Sequence, residues 1–187
     1  EGELEQVHKI DGQPSIFLMV ASYRDFQCRE TVTAALERAT YPSRVVIAVV
    51  DQTAPGDTPC DEPFEPCDQK PGQMLCQHHI KVYRMDSKDA TGPVYARHVG
   101  YRMYRGEAFA MQVDAHVAFV KDWDESLIHQ WEATGNEMAV LSTYLTDVQH
   151  SIKDGVSLRK TRPIMCNSDF EGRPPARYLR HGSQPEE

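Results

Sequence analysis

The sequence has no basic block, no long apolar run and no regular cysteine spacing, and each absence removes a class of protein. Its 187 residues carry 28 acidic against 20 basic side chains, a formal net charge of −8. Phosphate backbones are bound by clustered Lys and Arg, so no nucleic acid is expected as the main partner. A single anionic ligand, held by a local Arg pocket or a metal, stays open. The longest apolar runs, "IFLMVA" (16–21) and "VVIAVV" (45–50), are six residues each. A bilayer needs roughly 20, so no membrane segment is expected. No G-x-G-x-x-G follows the first apolar run and no G-x-x-x-x-G-K-[ST] occurs, which disfavours a dinucleotide-dependent dehydrogenase and a P-loop NTPase. The G-x-S-x-G elbow of a serine hydrolase is absent too.

The five cysteines, Cys28, Cys60, Cys67, Cys76 and Cys166, are odd in number and irregular in spacing, so they suggest no disulfide framework and favour a reducing compartment. Cys60, Cys67 and Cys76 share one loop with His78 and His79, but spacings of seven and nine miss the short Cys-x₂₋₄-Cys pairs of zinc sites. Unpaired loop thiols are the default, ahead of a disulfide or zinc. The chain opens on Glu1 without a signal-peptide pattern and reads as a processed or excised segment.

What the chain does contain is alternation. "SIFLMVASYRD" (15–25) and "RVVIAVVDQ" (44–52) read as buried strands ending in polar residues, with a helix in "CRETVTAALERAT" between them, Val32, Leu36 and Ala39 on its apolar face. Residues 53–77 hold five prolines and form a long loop. Such loops are uncommon unless functional or disordered. "HIKVYRMD" (79–86) is a third strand, "GPVYARHVGYRMYRG" (92–106) a helix with Val94, His98 and Tyr101 along one stripe, and "AMQVDAHVAF" (110–119) a fourth strand. A helix "WDESLIHQWEAT" (123–134) and a strand "MAVLSTYL" (138–145) follow, and 150–187 reads as an irregular tail. Trp123 and Trp131 are expected in the core, with sugar stacking a lesser option for Trp123. Asp122 and Asp124 begin or cap their helix, and Glu107 is a turn residue. Alternating strands and helices imply an α/β fold, a mainly parallel sheet with helices on both faces, as a single domain over 1–187. Ligands gather at the carboxyl ends of such strands. Three ends are polar: Ser22-Tyr23-Arg24-Asp25, Asp51-Gln52 and Asp114-Ala115-His116.

Asp114 and His116 are the chemistry to explain. Positions i and i+2 of a strand share a face. A carboxylate and an imidazole side by side suit a divalent ion of intermediate softness, Mn²⁺ (or Mg²⁺), with positions left for diphosphate oxygens. The plainer reading of the triplet alone is a turn-capping Asp beside a surface His. The preceding "DATGPVYARHVG" adds a helix N-terminus at Gly92, whose free N–H groups and dipole favour an anion, and Arg97 one turn in.

"IFLMVASYRD", "YPSRVVIAVVDQ" and "DATGPVYARHVGYRMYRGEAFAMQVDAHVAFVKDWDESLIHQW" together resemble the polypeptide α-N-acetylglucosaminyltransferases (glycosyltransferase family 60), over roughly residues 14–146. The characterised type modifies hydroxyproline on a cytosolic ubiquitin-ligase adaptor. The resemblance implies a GT-A fold, a UDP-GlcNAc donor, a divalent metal, retention of anomeric configuration, a protein acceptor and a cytoplasmic location. It places the metal-binding Asp-x-Asp equivalent on Asp114 and His116, with Ala115 between them beside the donor. Ala21, Ser22, Tyr23 and Arg24 fall where the uridine is held, Asp51 and Gln52 near base and ribose, and Gly92 and Arg97 by the diphosphate. Asp114 and Arg97 are the catalytic candidates. The resemblance also implies a further metal ligand and an acceptor site from a C-terminal half not evident before Glu187, so the chain is expected to be truncated on that side.

A metal-dependent retaining glycosyltransferase is thus the leading expectation. The alternative is a non-catalytic fragment or degenerate relative that binds UDP or a partner. A nucleotidyltransferase is weaker, because that chemistry wants more than one carboxylate at the metal.

Overall fold

A computed structural model describes residues 8–143, 145, 148–158 and 163–185. The chain falls into two compact units, Glu1–Glu125 and Ser126–Glu187, each described by itself.

In the first unit a small hairpin, β1 (Lys9–Ile10) and β2 (Gln13–Pro14), leads into β3 (Ile16–Tyr23), α1 (Cys28–Glu37), β4 (Val45–Thr53), a short helix α2 (Met74–Gln77), β5 (Lys81–Asp86), α3 (Pro93–Tyr101) and β6 (Phe109–Asp114). β3 to β6 form one parallel sheet in the order β5-β4-β3-β6. The two six-residue apolar runs are its central strands, and central parallel strands are covered on both faces, which is why neither alternates. Ile16 to Val20 and Ile47 to Val50 are buried. The outer strands are less buried, and β6 alternates half-buried or buried residues with exposed ones.

The chain goes β3, β4, β5 in one direction and then crosses back to lay β6 against the other side of β3. Right-handed crossovers on a reversed path put α1 and α3 on opposite faces. α3 packs on Phe17 and Met19 so closely that a Cβ on Gly100 would lie 2.7 Å from the Met19 side chain. That closeness corrects the expected stripe. Val94 and His98 are exposed, Tyr101 is partly exposed with its ring against Phe17, and the buried face is Ala96 and Gly100, because a helix pressed onto a sheet selects small residues at the contact.

A buried polar knot closes the end away from the strand carboxyl termini. Helix α4 (Trp123–Glu132) begins in the first unit. Arg44, 1% exposed, donates through Nε and Nη2 to Asp124 Oδ2 at 3.0 and 2.8 Å, and through Nη2 to Glu125 at 2.8 Å. The Thr40 and Tyr41 amides donate to the same Asp124 carboxylate. Burial alone would raise its pKa, but these amide bonds and Arg44 together hold it below the ordinary carboxyl range. So Asp124 stands at the start of α4, as expected, and also ties that helix to Arg44, just ahead of β4. Trp123 is buried, its Nε1 donating to Ala35 O at 2.9 Å, which leaves no face for sugar stacking. Glu107 is also more than a turn residue. It is 2% exposed and accepts from the Arg105 amide at 2.8 Å.

The cysteine reading is overturned. Cys28 bonds Cys60 and Cys67 bonds Cys76, with Cα atoms 5.1 and 5.7 Å apart. Three cysteines in one loop looked like a set. One of them instead pairs with α1, across 32 residues, a relation spacing does not reveal. Sulfurs joined in disulfides are no longer thiolates to bind zinc, so that option falls, and four of the five cysteines fit an oxidising environment better than a reducing one.

In the second unit "MAVLSTYL" is no strand among its described residues, and residue 144 lies outside them. Met138 and Val140 are exposed, and the Ala139 carbonyl accepts from Trp131 Nε1 at 3.0 Å. Apolar β-formers make a strand only where a neighbour completes the ladder, and none of the described strands pairs with this run. The stretch expected to be irregular holds α5 (Val148–Ser151) and two antiparallel hairpins, β7 (Ile152–Lys153) with β8 (Val156–Ser157) and β9 (Pro163–Glu171) with β10 (Tyr178–Pro185).

Candidate active site

Where strand order reverses, adjacent connections leave in opposite directions and open a crevice at the carboxyl edge. Here the reversal lies between β3 and β6. Their register sets Ala21 beside Asp114, and Ser22 and Tyr23 pair with Asp51 and Gln52 of β4. The three polar strand ends are therefore neighbours, in the order β4, β3, β6.

β6 ends at Asp114, and Ala115 and His116 form the turn that follows. Ala115 is buried, and its carbonyl accepts from Thr31 Oγ1 of α1 at 2.9 Å. With Ala115 pinned inward, Asp114 and His116 are both exposed. Arg97, one turn into α3, donates through Nη2 to Asp114 Oδ1 at 3.0 Å, and its buried Nε has no partner among the described residues. His116 Nδ1 lies 2.8 Å from Asp25 Oδ2. The other Asp25 oxygen accepts from the Gln27 amide at 2.9 Å. Gly92, with φ +104°, turns the chain into α3 ahead of Pro93 at its first position, a conformation L side chains rarely adopt.

The remaining expected residues are supports or rim. Arg24, at φ +50°, donates its backbone N–H to Gln52 O at 2.9 Å and pairs through Nε with Asp57 at 2.8 Å. That partner holds the Asp57 carboxyl below its ordinary range. Tyr23 is exposed, and Ser22 is buried with its carbonyl accepting from Gln52 Nε2 at 2.9 Å. Buried Gln52 keeps Oε1 without a partner among the described residues. Asp51 faces inward under the long loop and accepts from the Cys60 amide at 3.0 Å. Burial, chiefly, lifts its pKa above the ordinary range, against the pull of that amide.

The sequence, strand ends included, matches the glycosyltransferase (GlcNAc) family over residues 15–70 and 64–184. The chain belongs to that family. For this family member, a search of curated proteins returns no match. The solved structure of S. aureus TarS 1-349 is similar at a TM-score of 0.43 and 16% identity, over 64% of this chain and 32% of that one. The chain spans about a third of the TarS chain's length.

Two residues missed as site residues are Asp25 and Thr31. Asp25 closes the polar end of β3, so a signal existed, but only the fold shows that His116 is its partner. Thr31 reads as one polar residue on an otherwise apolar helix face. Among the described residues no group of three or more His, Cys, Asp or Glu side chains gathers in a metal-holding arrangement.

Proposed function

We propose that this glycosyltransferase chain holds the donor half of an enzyme that transfers N-acetylglucosamine from UDP-GlcNAc to a protein hydroxyl, hydroxyproline or Ser/Thr, with a divalent metal and with retention. The observation that carries the reading is that Asp114 and His116, two residues apart at the end of β6, are both exposed at the reversal point, in a chain of this family.

The donor set fits a divalent ion. Asp114 has one oxygen engaged by Arg97 and a second available, and His116 engages only Nδ1 among the described residues. One carboxylate and one imidazole leave positions for diphosphate oxygens and water, which suits Mn²⁺ or Mg²⁺. Bound there, the ion supplies Lewis-acid stabilisation of the leaving diphosphate. Arg97 and the amides opening α3 add fixed positive charge toward the same anion, where charge develops as the C1–O bond breaks. The ends of β3 and β4 are left to the nucleoside, with Gln52 Oε1 as an open acceptor. The two disulfides favour an oxidising compartment over the cytoplasm, which weighs against the cytosolic adaptor as acceptor.

Thermal unfolding with UDP, with and without Mn²⁺, tests the donor site. At about 100 times its dissociation constant a ligand adds roughly 2.7 kcal/mol to the folded state. UDP should stabilise the wild type when Mn²⁺ is present and leave Asp114→Ala unmoved. In the active enzyme Asp114→Ala should slow turnover by roughly 10²–10³. A cooperatively folded sample that answers to neither UDP nor Mn²⁺ refutes the reading and leaves a non-catalytic relative.

A further inference from the structure

We propose that Asp25 is the positioning residue of this site: it fixes the imidazole of His116 with Nδ1 protonated and Nε2 presented as the metal-binding nitrogen. The inference rests on the donor-site reading above and deepens it.

Asp25 lies just past β3 and His116 just past β6, so their 2.8 Å contact bridges the mouth of the crevice at the reversal point. A carboxylate accepts hydrogen bonds and has none to donate. The ring nitrogen facing it must therefore carry the hydrogen, and in the neutral imidazole the lone pair falls on Nε2. Among the described residues Nε2 has no protein partner. Asp25 is itself held, because its other oxygen accepts from the Gln27 amide at 2.9 Å and the Cys28 amide donates to its backbone carbonyl at 3.2 Å. It is also the more buried of the pair, 20% exposed against 57% for His116. So the anchored group is the carboxylate and the oriented group is the ring. Metal-binding histidines usually engage a carboxylate or carbonyl through the second nitrogen, which sets tautomer and ring angle and raises ligand basicity.

Asp25→Asn separates this role from the structural one. The asparagine oxygen is required by the Gln27 amide, since turning the side chain over would set two donors face to face. Its NH₂ then meets His116 Nδ1 and donates to it, which moves the ring hydrogen to Nε2 and blocks that nitrogen. Two readouts are taken on the full chain: the ¹⁵N chemical shifts of His116 in metal-free protein, and Mn²⁺ affinity in the presence of UDP from the free-ion EPR signal. The wild type should show the Nδ1–H tautomer and Asp25→Asn the Nε2–H tautomer at nearly unchanged melting temperature. Mn²⁺ should bind about 10- to 100-fold more weakly to Asp25→Asn, and in a His116→Ala background Asp25→Asn should cause no further loss. A wild-type tautomer and wild-type Mn²⁺ affinity in Asp25→Asn overturn the inference and leave Asp25 as a helix-start residue, with the donor site intact. Failure of the wild type itself to bind Mn²⁺ with UDP overturns the donor-site reading, and this inference with it.

Discussion

The Cys28–Cys60 disulfide gives the most demanding test of the fold. It joins the first residue of α1 to a loop residue 32 positions on, and the Cys60 amide meets the buried Asp51 carboxylate. Replacing both cysteines by alanine restores the loop entropy of the unfolded chain. For a closed loop of about 33 residues the chain-entropy relation gives roughly 12 cal/mol/K, or about 3.7 kcal/mol at 25 °C. Both side chains are almost fully buried, so lost packing adds to that figure. In a chain of this size each kcal/mol moves the melting midpoint by about 2–4 °C, so the midpoint should fall by about 7–15 °C. Urea unfolding of oxidised wild type and double variant, followed by circular dichroism, measures the loss directly. Alkylation before and after reduction, in denaturant, should show four of the five cysteines protected until reduced. If the variant matches the wild type within about 1 kcal/mol, or those cysteines react without reduction, the cross-link does not form in the folded protein and the reasoning fails.

Four further outcomes follow from the contacts described above. Asp124→Asn leaves Arg44 buried with Glu125 as its remaining carboxylate and should cost about 3 kcal/mol, the low end for a broken buried pair; a urea midpoint shift worth under 1 kcal/mol would contradict this. Because the folded Asp124 pKa is depressed, its contribution is present above the ordinary carboxyl range near about 4 and is lost as pH falls through the folded value. Stability of the wild type should therefore decline more steeply than that of Asp124→Asn as pH drops below about 4. Gly100→Ala drives a methyl to 2.7 Å from buried Met19 and should destabilise by about 1–3 kcal/mol in equilibrium unfolding; a neutral result would mean α3 rides off the sheet without cost. Arg97→Gln removes the cation beside Asp114 and should weaken UDP binding in calorimetry with Mn²⁺ present, whereas UDP affinity as in wild type would place Arg97 outside the donor site.

By itself the sequence determined the sheet and its polar edge. Residues 16–21 and 45–50 are apolar without alternation, which suits strands covered on both faces, and the helix between them makes the pair parallel. Each run also stops at polar residues, so the polar strand ends, with Asp114 and His116 among them, were legible from local pattern. Local pattern fails where a residue's environment comes from a distant part of the chain. Only the reversal of strand order made Asp25 the partner of His116 and set Ala21 beside Asp114, because strand order is a property of the sheet and not of any strand. Gly100 reads as a weak point in a helix until Met19 is found beneath it. Cys60 belongs with Cys28 rather than with its loop neighbours, and Asp124, legible as a helix-start residue, proves to be held by buried Arg44. In each case the deciding contact spans the fold, and burial or charge pairing at that contact outweighs the propensity of the local segment.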